Sequence, residues 1–392
     1  MNKKLTVMVL FGGKSPEHQI SIASALSVMQ ALDPKKYTVI PVKIGQDGSW
    51  QSTDNPEKLI SQADKPTEVS WTDLSLNFAR KEWLALETNM EPSCLLHRIK
   101  DIDVVFPLLH GPYGEDGTVQ GLLELVDLPY VGAGVAASAI GMDKGFMKLL
   151  FQRMGLPVTG FLIFKRHDWE ENKEAAIKQI LGCLEYPVFV KPVNQGSTIG
   201  ISKALEEEEL RAAIVLAFCY SEKIIVEQGL DCRELECGVL GNKHPEVSVL
   251  GEIVPSKEFY DYEAKYTPGL VDIVIPATFL PEKVFQQAKE VALKAFTGLD
   301  CFGMARVDFF LGRKTDRLYL NEINTIPGFT TTSIYPKLWE ASGLFYPQLL
   351  DRLIELALEQ HRIKVELQTS YDPTLEDIRA TAPSISKNKK EK

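Results

Sequence analysis

Two strand-like runs in the last third of the chain, Gly303 to Leu311 and Arg317 to Ile323, constrain its fold more than any other feature. Side chains alternate along a strand, so Arg306 and Asp308 share one face of the first run, and Glu322 and Asn324 share one face of the second. The second run leads into Asn321-Glu322-Ile323-Asn324-Thr325-Ile326-Pro327-Gly328-Phe329. Were the two strands neighbours, two carboxylates and an amide oxygen would point at one place. That donor set suits a hard cation that keeps contact with phosphates, magnesium first of all.

At 392 residues the chain exceeds one ordinary core, so two or three domains are expected. A formal charge of −10 argues against non-specific nucleic-acid binding and leaves any polyphosphate site to local lysines. Cys94, Cys183, Cys219, Cys232, Cys237 and Cys301 show no C-x-x-C spacing, which indicates neither a zinc site nor a disulfide framework and points to reduced thiols in a cytoplasm. Met1 to Phe11 is too short an apolar run for a signal peptide and ends in Gly12-Gly13, so it reads as a first strand. No stretch approaches the roughly 20 apolar residues of a membrane span. The expectation is a soluble cytoplasmic protein without a membrane partner.

The apolar strand Leu5 to Phe11 is followed by a turn and a helix with Ser15 as N-cap and Pro16 at its first position, as an open α/β sheet begins. Tyr37 to Ile44 and Val104 to Leu109 supply further strands, and the polar stretch between them, residues 46–100, reads as an insertion. Beyond lie a helix from Asp143 to Met154, strands at Gly160 to Phe164 and Val188 to Lys191, and a helix from Glu207 to Phe218. Strands recur at Ile224 to Gln228, Glu234 to Leu240 and Val247 to Val254, then a helix from Pro281 to Thr297 and two terminal helices around Leu338 and Leu350. Pro383 to Lys392 has the composition of a disordered tail.

Lys191 closes a strand and precedes a glycine-bearing loop, Pro192 to Gly200, whose amides can approach a ligand in the manner of a phosphate flap. A Walker A sequence is absent, which disfavours the P-loop class. Val226 to Leu230 can form a hinge where backbone groups read the edge of adenine, with Glu234 in reach of a ribose hydroxyl. His110 to Thr118 is either a plain loop or one that lines a substrate, and composition does not choose between them. Lys257 to Gly269 mixes aromatics with charges, has no clean period and reads as a mobile lid.

Six motifs occur in order: Gly12-Gly13-x-Ser15-x-Glu17, His110-Gly111-x-x-Gly114-Glu115-Asp116-Gly117, Met142-Asp143-Lys144, Gly196-Ser197-x-x-Gly200, Phe259 to Tyr266, and Asn321 to Gly328. On these motifs, from about Leu5 to Arg362, the chain resembles the D-alanine:D-alanine ligases of the ATP-grasp superfamily. The resemblance implies an ATP-grasp fold, α/β and α+β, with an N-terminal Rossmann-like (pre-ATP-grasp) domain at 1–132 that carries the insertion. A central subdomain at 133–227, a C-terminal one at 228–364 with a lid at 256–271, and a charged, flexible tail at 365–392 follow.

It further implies ligation of two D-alanines through a D-alanyl phosphate, with ATP as co-substrate, two magnesium ions (or manganese) and a homodimeric state. The residues it implies for the ions are Asp308, Glu322 and Asn324. For ATP they are Lys144, Lys191, Glu227, Gln228, Leu230, Glu234 and Lys265. Glu17 would hold the ammonium of the first D-alanine within a triad completed by Ser197 and Tyr266, and His110 would lie near that substrate's carboxylate. Arg306 and an amide near Gly328 would face the developing oxyanion, Ser333 and Gly328 would bind the second carboxylate, and Ile334 would border the second side chain. A ligase using D-serine or D-lactate second, or a nucleotide-binding regulator without catalysis, are the alternatives. Seen alone, Glu17 is an ordinary first-turn helix acid.

Overall fold

The computed structural model describes residues 3–53, 55–61, 72–77, 82–85, 102–255, 271–368 and 370–371. Among these, the strands form three sheets. The first contains β1 (Leu5–Gly12), β2 (Tyr37–Ile44), β3 (Trp50–Ser52), β4 (Thr72–Asn77), β5 (Glu82–Ala85) and β6 (Val104–Pro107), in the order β5-β4-β3-β2-β1-β6. β1 runs parallel to both β2 and β6, and its last six residues, Val7 to Gly12, are buried, in keeping with its largely apolar sequence. Because the chain leaves β1 for neighbours on opposite sides, a crevice opens beyond the carboxyl ends of β1 and β6. Glu17 follows the first of these strands and His110 the second. The stretch at 46–100 extends the sheet antiparallel through β3, β4 and β5.

Helix α1 (His18–Ala31) corrects one expectation. Ser15 is not its N-cap: Ser15 Oγ donates to the His110 carbonyl (2.6 Å) and accepts from the Glu17 amide (3.2 Å), and Glu17 takes the cap position. A bond between loops has displaced a local one, and the helix starts two residues beyond Pro16. Helices α2 (Pro56–Ser61), α3 (Thr118–Leu125) and α4 (Val135–Met142) follow in chain order. Next comes α5 (Lys144–Arg153), capped by Asp143, whose carboxylate accepts from the Phe146 amide at 2.9 Å.

The second sheet, β7 (Phe161–Lys165), β8 (Val188–Pro192), β9 (Ser202–Ala204) and β10 (Lys223–Gln228), is antiparallel in the order β7-β10-β8-β9. It is covered by α6 (Arg166–Glu171), α7 (Lys173–Cys183) and α8 (Glu207–Phe218), whose apolar faces share one core with it. The third sheet joins β11 (Cys232–Leu240), β12 (Glu246–Pro255), β13 (Val271–Val274), β14 (Met304–Gly312) and β15 (Leu318–Asn324) in the order β13-β12-β11-β14-β15, again antiparallel. Helix α9 (Glu282–Gly298) packs its apolar stripe, Val284, Ala288, Val291, Ala295 and Phe296, into the core of that sheet.

Helices α10 (Ile334–Ala341) and α11 (Tyr346–Val365) return to the N-terminal sheet, and Leu349, Leu350, Leu353 and Ile354 enter the same core as Val7, Val9 and Phe106. Phe329 is the keystone of that contact. It is fully buried, meets Phe106 edge-on at 5.7 Å between ring centres, and lies 5.7 Å from the ring of Tyr335. Burying a phenylalanine is worth about 1.5–3 kcal/mol, enough to fix the neighbouring Gly328 against the crevice.

Candidate active site

The crevice brings Glu17 and Ser197 together from loops 180 residues apart, and the Ser197 hydroxyl donates to Glu17 Oε1. Both side chains are buried. Two glycines allow this: a Cβ on Gly111, at φ +74°, would stand 2.7 Å from Glu17 Oε2, and one on Gly196 would stand 2.9 Å from it. His110 lies behind, buried, with Nδ1 3.4 Å from Glu115 Oε1 and Nε2 3.2 Å from Ser24 Oγ. Burial opposes a charged imidazole, but Glu115 outweighs it and holds His110 above its usual value. Ser24 Oγ also accepts from the Phe329 amide at 3.3 Å, so the hydroxyl joins α1 to the segment after β15.

On β14 and β15 the register sets Asp308 opposite Glu322 and Arg306 opposite Asn324, and opposed residues share a face. A bulge follows directly at Asp308, where strands near active sites commonly re-aim side chains. On the other side of β14, Glu236 of β11 stands opposite Asp308. Arg306 grips Asp308 with Nε and Nη2 at 2.8 and 2.6 Å, and its Nε lies 3.0 Å from Glu236 Oε2. Burial would lower the guanidinium, but Asp308 and Glu236 raise it well above its ordinary value. Lys144 Nζ donates to the Gln195 carbonyl at 2.9 Å and lies 3.5 Å from Glu322 Oε2.

The donor chemistry here fits a hard divalent cation. Asp308, Glu322 and the Asn324 amide oxygen lie on one face, with Glu236 beside them, and each carboxylate oxygen bonded to Arg306 keeps a second acceptor direction. Asn324 Oδ1 accepts from the Ile326 amide at 3.0 Å, which holds the amide in place.

A second ionic cluster involves Lys191, at the end of β8, and Glu227, on the neighbouring strand β10. Glu227 Oε2 contacts Lys191 Nζ, and Glu227 Oε1 lies 2.5 Å from Lys148 Nζ. Burial pushes the Glu227 carboxyl up, but the two lysines overcome it and bring it down to about 2. Glu234 acts electrostatically on Lys191. Gln228 is turned aside: its side chain donates to the Glu185 carbonyl (2.8 Å) and accepts from the Glu185 amide (2.9 Å), and its own amide donates to Gly160. Leu230 is half-buried beyond it. Lys265, Tyr266 and the lid around them fall outside the described residues, apart from Val271, where β13 begins.

Ser333 starts α10, and its hydroxyl bonds locally, accepting from the Thr330 amide at 3.0 Å and lying 2.7 Å from Thr330 Oγ1. One cavity of about 570 Å³ gathers Glu17, His110, Lys144, Ser197, Arg306, Glu322, Asn324, Gly328, Ser333 and Ile334. Asp308, Lys191, Glu227, Gln228, Leu230 and Glu234 lie outside its walls.

Four site residues escape the sequence reading: Ser24, Glu115, Lys148 and Glu236. Each leaves a faint trace. Lys148 is one helical turn from Lys144, Glu236 is two residues from Glu234 on a strand, and Ser24 is three residues from Ser21, which is also buried and hydrogen-bonds to the Leu108 carbonyl. Glu115 belongs to the His110 motif itself.

Residues 6–133 match the family described as D-ala D-ala ligase N-terminus, and residues 150–355 match D-ala D-ala ligase C-terminus. The chain is 47% identical to a D-alanine–D-alanine ligase of Geobacillus kaustophilus over 371 residues, 94% of this chain and 98% of that one. Among solved structures, the D-alanine-D-alanine ligase of Coxiella burnetii superposes with a TM-score of 0.77 at 37% identity, covering 93% of this chain and 98% of that one. The VanG D-Ala:D-Ser ligase of Enterococcus faecalis superposes with a TM-score of 0.78 at 36% identity, covering 91% and 100%.

Proposed function

The chain belongs to the D-alanine–D-alanine ligase family, whose ATP-grasp fold it has, and from this premise we infer that it joins two D-alanines into D-alanyl-D-alanine with ATP. The observation that carries the reading is the Glu17–Ser197 pair, which meets Arg306, Glu322, Asn324 and Ser333 around one cavity. A carboxylate resists attack by an amine. A carboxylate oxygen of the first D-alanine therefore attacks the γ-phosphorus of ATP, ADP leaves, and an acyl phosphate forms. The neutral amine of the second D-alanine then adds to the carbonyl carbon, and the tetrahedral oxyanion collapses with release of phosphate.

Glu17 holds the ammonium of the first substrate, with Ser197 and Tyr266 orienting its carboxylate, and His110 faces the substrate carboxylate. Arg306 and an amide near Gly328 face the oxyanion, where one donor is worth about 10²–10³-fold in rate. Ser333 and Gly328 take the second carboxylate, and Ile334 offers an apolar wall to a methyl group. Lys144, Lys191 and Lys265 neutralise phosphate charge. Glu227, Gln228 and Leu230 meet the adenine, and Glu234 the ribose. Asp308, Glu322 and Asn324 would hold two magnesium or manganese ions, which when bound neutralise the charge shared by the phosphates.

ATP use and the dipeptide product point to peptidoglycan precursor synthesis in the cytoplasm, and a homodimer is the assembly that the family implies. Among the described residues no helix is long and apolar enough to cross a membrane. The test supplies purified protein with magnesium, ATP and D-alanine, and identifies products by mass while D-serine and D-lactate compete. The reading requires phosphate release stoichiometric with D-alanyl-D-alanine; a mixed product in excess would move the second substrate, and phosphate without a condensed product would end the assignment. Light scattering of the same sample gives the subunit number.

A further inference from the structure

Lys148 carries a charge that the reaction as described does not use. It is 1% exposed, on α5, whose other buried residues are Gly145, Met147 and Phe151. Its Nζ lies 2.5 Å from Glu227 Oε1 and donates to Thr159 Oγ1 at 3.1 Å, while Lys191 contacts the other oxygen, Glu227 Oε2. A buried lysine is a poor choice for filling a core, because methionine or leucine fills the same volume without desolvating an ion. Its worth must lie in what it does to its partner. A carboxylate facing only Lys191 can turn about its terminal torsion, whereas one held at both oxygens by cations on two different elements, α5 and β8, has a fixed plane.

We propose that Lys148 is a positioning residue of the nucleotide subsite: it pins Glu227 Oε1 so that Oε2 aims the Lys191 ammonium. The inference deepens the reading of Glu227 and Lys191 as nucleotide-binding groups and rests on it. Burial, with Lys191 nearby, draws Lys148 below the ordinary lysine value against the pull of Glu227 and, beyond it, Glu322. Lys144, one turn earlier, points instead to Gln195 and Glu322, so the two lysines of this helix divide between the two sides of the phosphate region.

The test is a cycle of Lys148→Met, Glu227→Gln and both, in the full chain, with steady-state kinetics for ATP and for D-alanine. Lys148→Met should raise the KM for ATP by about tenfold or more, with kcat within about threefold and the KM for D-alanine unchanged. A core role alone moves only the melting temperature, and an unchanged KM for ATP overturns the proposal. Should Lys148→Met fail to fold, the double substitution, which leaves Lys191 in the same state as Glu227→Gln alone does, is read against Glu227→Gln, to which it should add less than about twofold. A further tenfold rise there would show Lys148 acting independently of Glu227 and overturn the proposal. If Glu227→Gln alone leaves the KM for ATP unchanged, the nucleotide assignment of Glu227 fails, whatever Lys148 does.

Discussion

Two buried ionic clusters serve the proposed site, and their excess charges are opposite. Glu227 stands between two lysines, Lys148 and Lys191, whereas Arg306 stands between two carboxylates, Asp308 and Glu236. In the first, cations overcome burial and hold a carboxyl at about 2; in the second, carboxylates overcome burial and hold a guanidinium well above its ordinary value. A surplus charge in such surroundings is costly until something neutralises it. The surplus charge of the first cluster would suit an anion and that of the second a cation, in keeping with the proposed site, and Glu322 acts electrostatically on Lys191 and on Arg306 alike. Phosphates and metal can meet between them. Evenly matched ion pairs would hold the fold as well but would favour no ligand of either sign.

Breaking the anionic cluster should have the largest effect. Asp308→Asn keeps the volume, removes one cation ligand and leaves Arg306 half-paired, so kcat for phosphate release should fall by about 10³-fold, with a higher magnesium requirement. A variant retaining more than about one-tenth of the rate would remove Asp308 from the cation set. Arg306→Lys comes next. A lysine supplies no fork for both Asp308 oxygens, and the loss should be about 10²-fold in kcat with the KM for ATP little changed.

The cationic cluster is milder and shows itself in pH. Glu227 is held down from 4.5 to about 2, so its ionised form stabilises the fold fully above about 4.5 and loses that contribution as pH falls toward 2. The melting temperature of Glu227→Gln should lie below that of the natural protein near neutrality, and the gap should narrow through that window. A gap independent of pH would mean that the carboxylate charge contributes nothing to stability. At neutral pH the same substitution should raise the KM for ATP about tenfold.

How far each cluster was legible in the sequence follows from the range of the contacts. Arg306, Asp308, Glu322 and Asn324 lie on two strands joined by a short turn, so period-two alternation put each pair on one face, and the pairing of the strands then set the two pairs opposite each other. Lys191 was visible as the end of a buried strand. Lys148 was not, because a lysine at helical spacing from Lys144 reads as a solvated face until β10, far along the chain, brings Glu227 beneath it. The cap assigned to Ser15 failed for a related reason, since the partner that claimed its hydroxyl, the His110 carbonyl, comes from a strand end 95 residues away. The strands β3, β4 and β5 lay hidden in a polar stretch because short strands away from the sheet centre need little apolar sequence. Gln228 was placed near the nucleotide correctly as to its strand, but sequence gives no sign that its side chain is taken by Glu185.

The smallest effect is expected where the link beside the clusters is neutral. Ser24 is fully buried and its hydroxyl ties His110 Nε2 to the Phe329 amide, joining the wall proposed for the first substrate to the segment proposed for the second. Ser24→Ala leaves that amide and imidazole nitrogen without this partner, which costs about 1–3 kcal/mol of stability. Yet Phe329 remains locked by Phe106 and Tyr335, so Gly328 has little room to move, and the KM for D-alanine should rise only about threefold while the KM for ATP stays constant. Equal rises in both would mean that this corner is coupled to the lysine cluster. A rise in neither would mean that aromatic packing alone sets the position of Gly328, and that the hydroxyl serves the fold rather than the substrate.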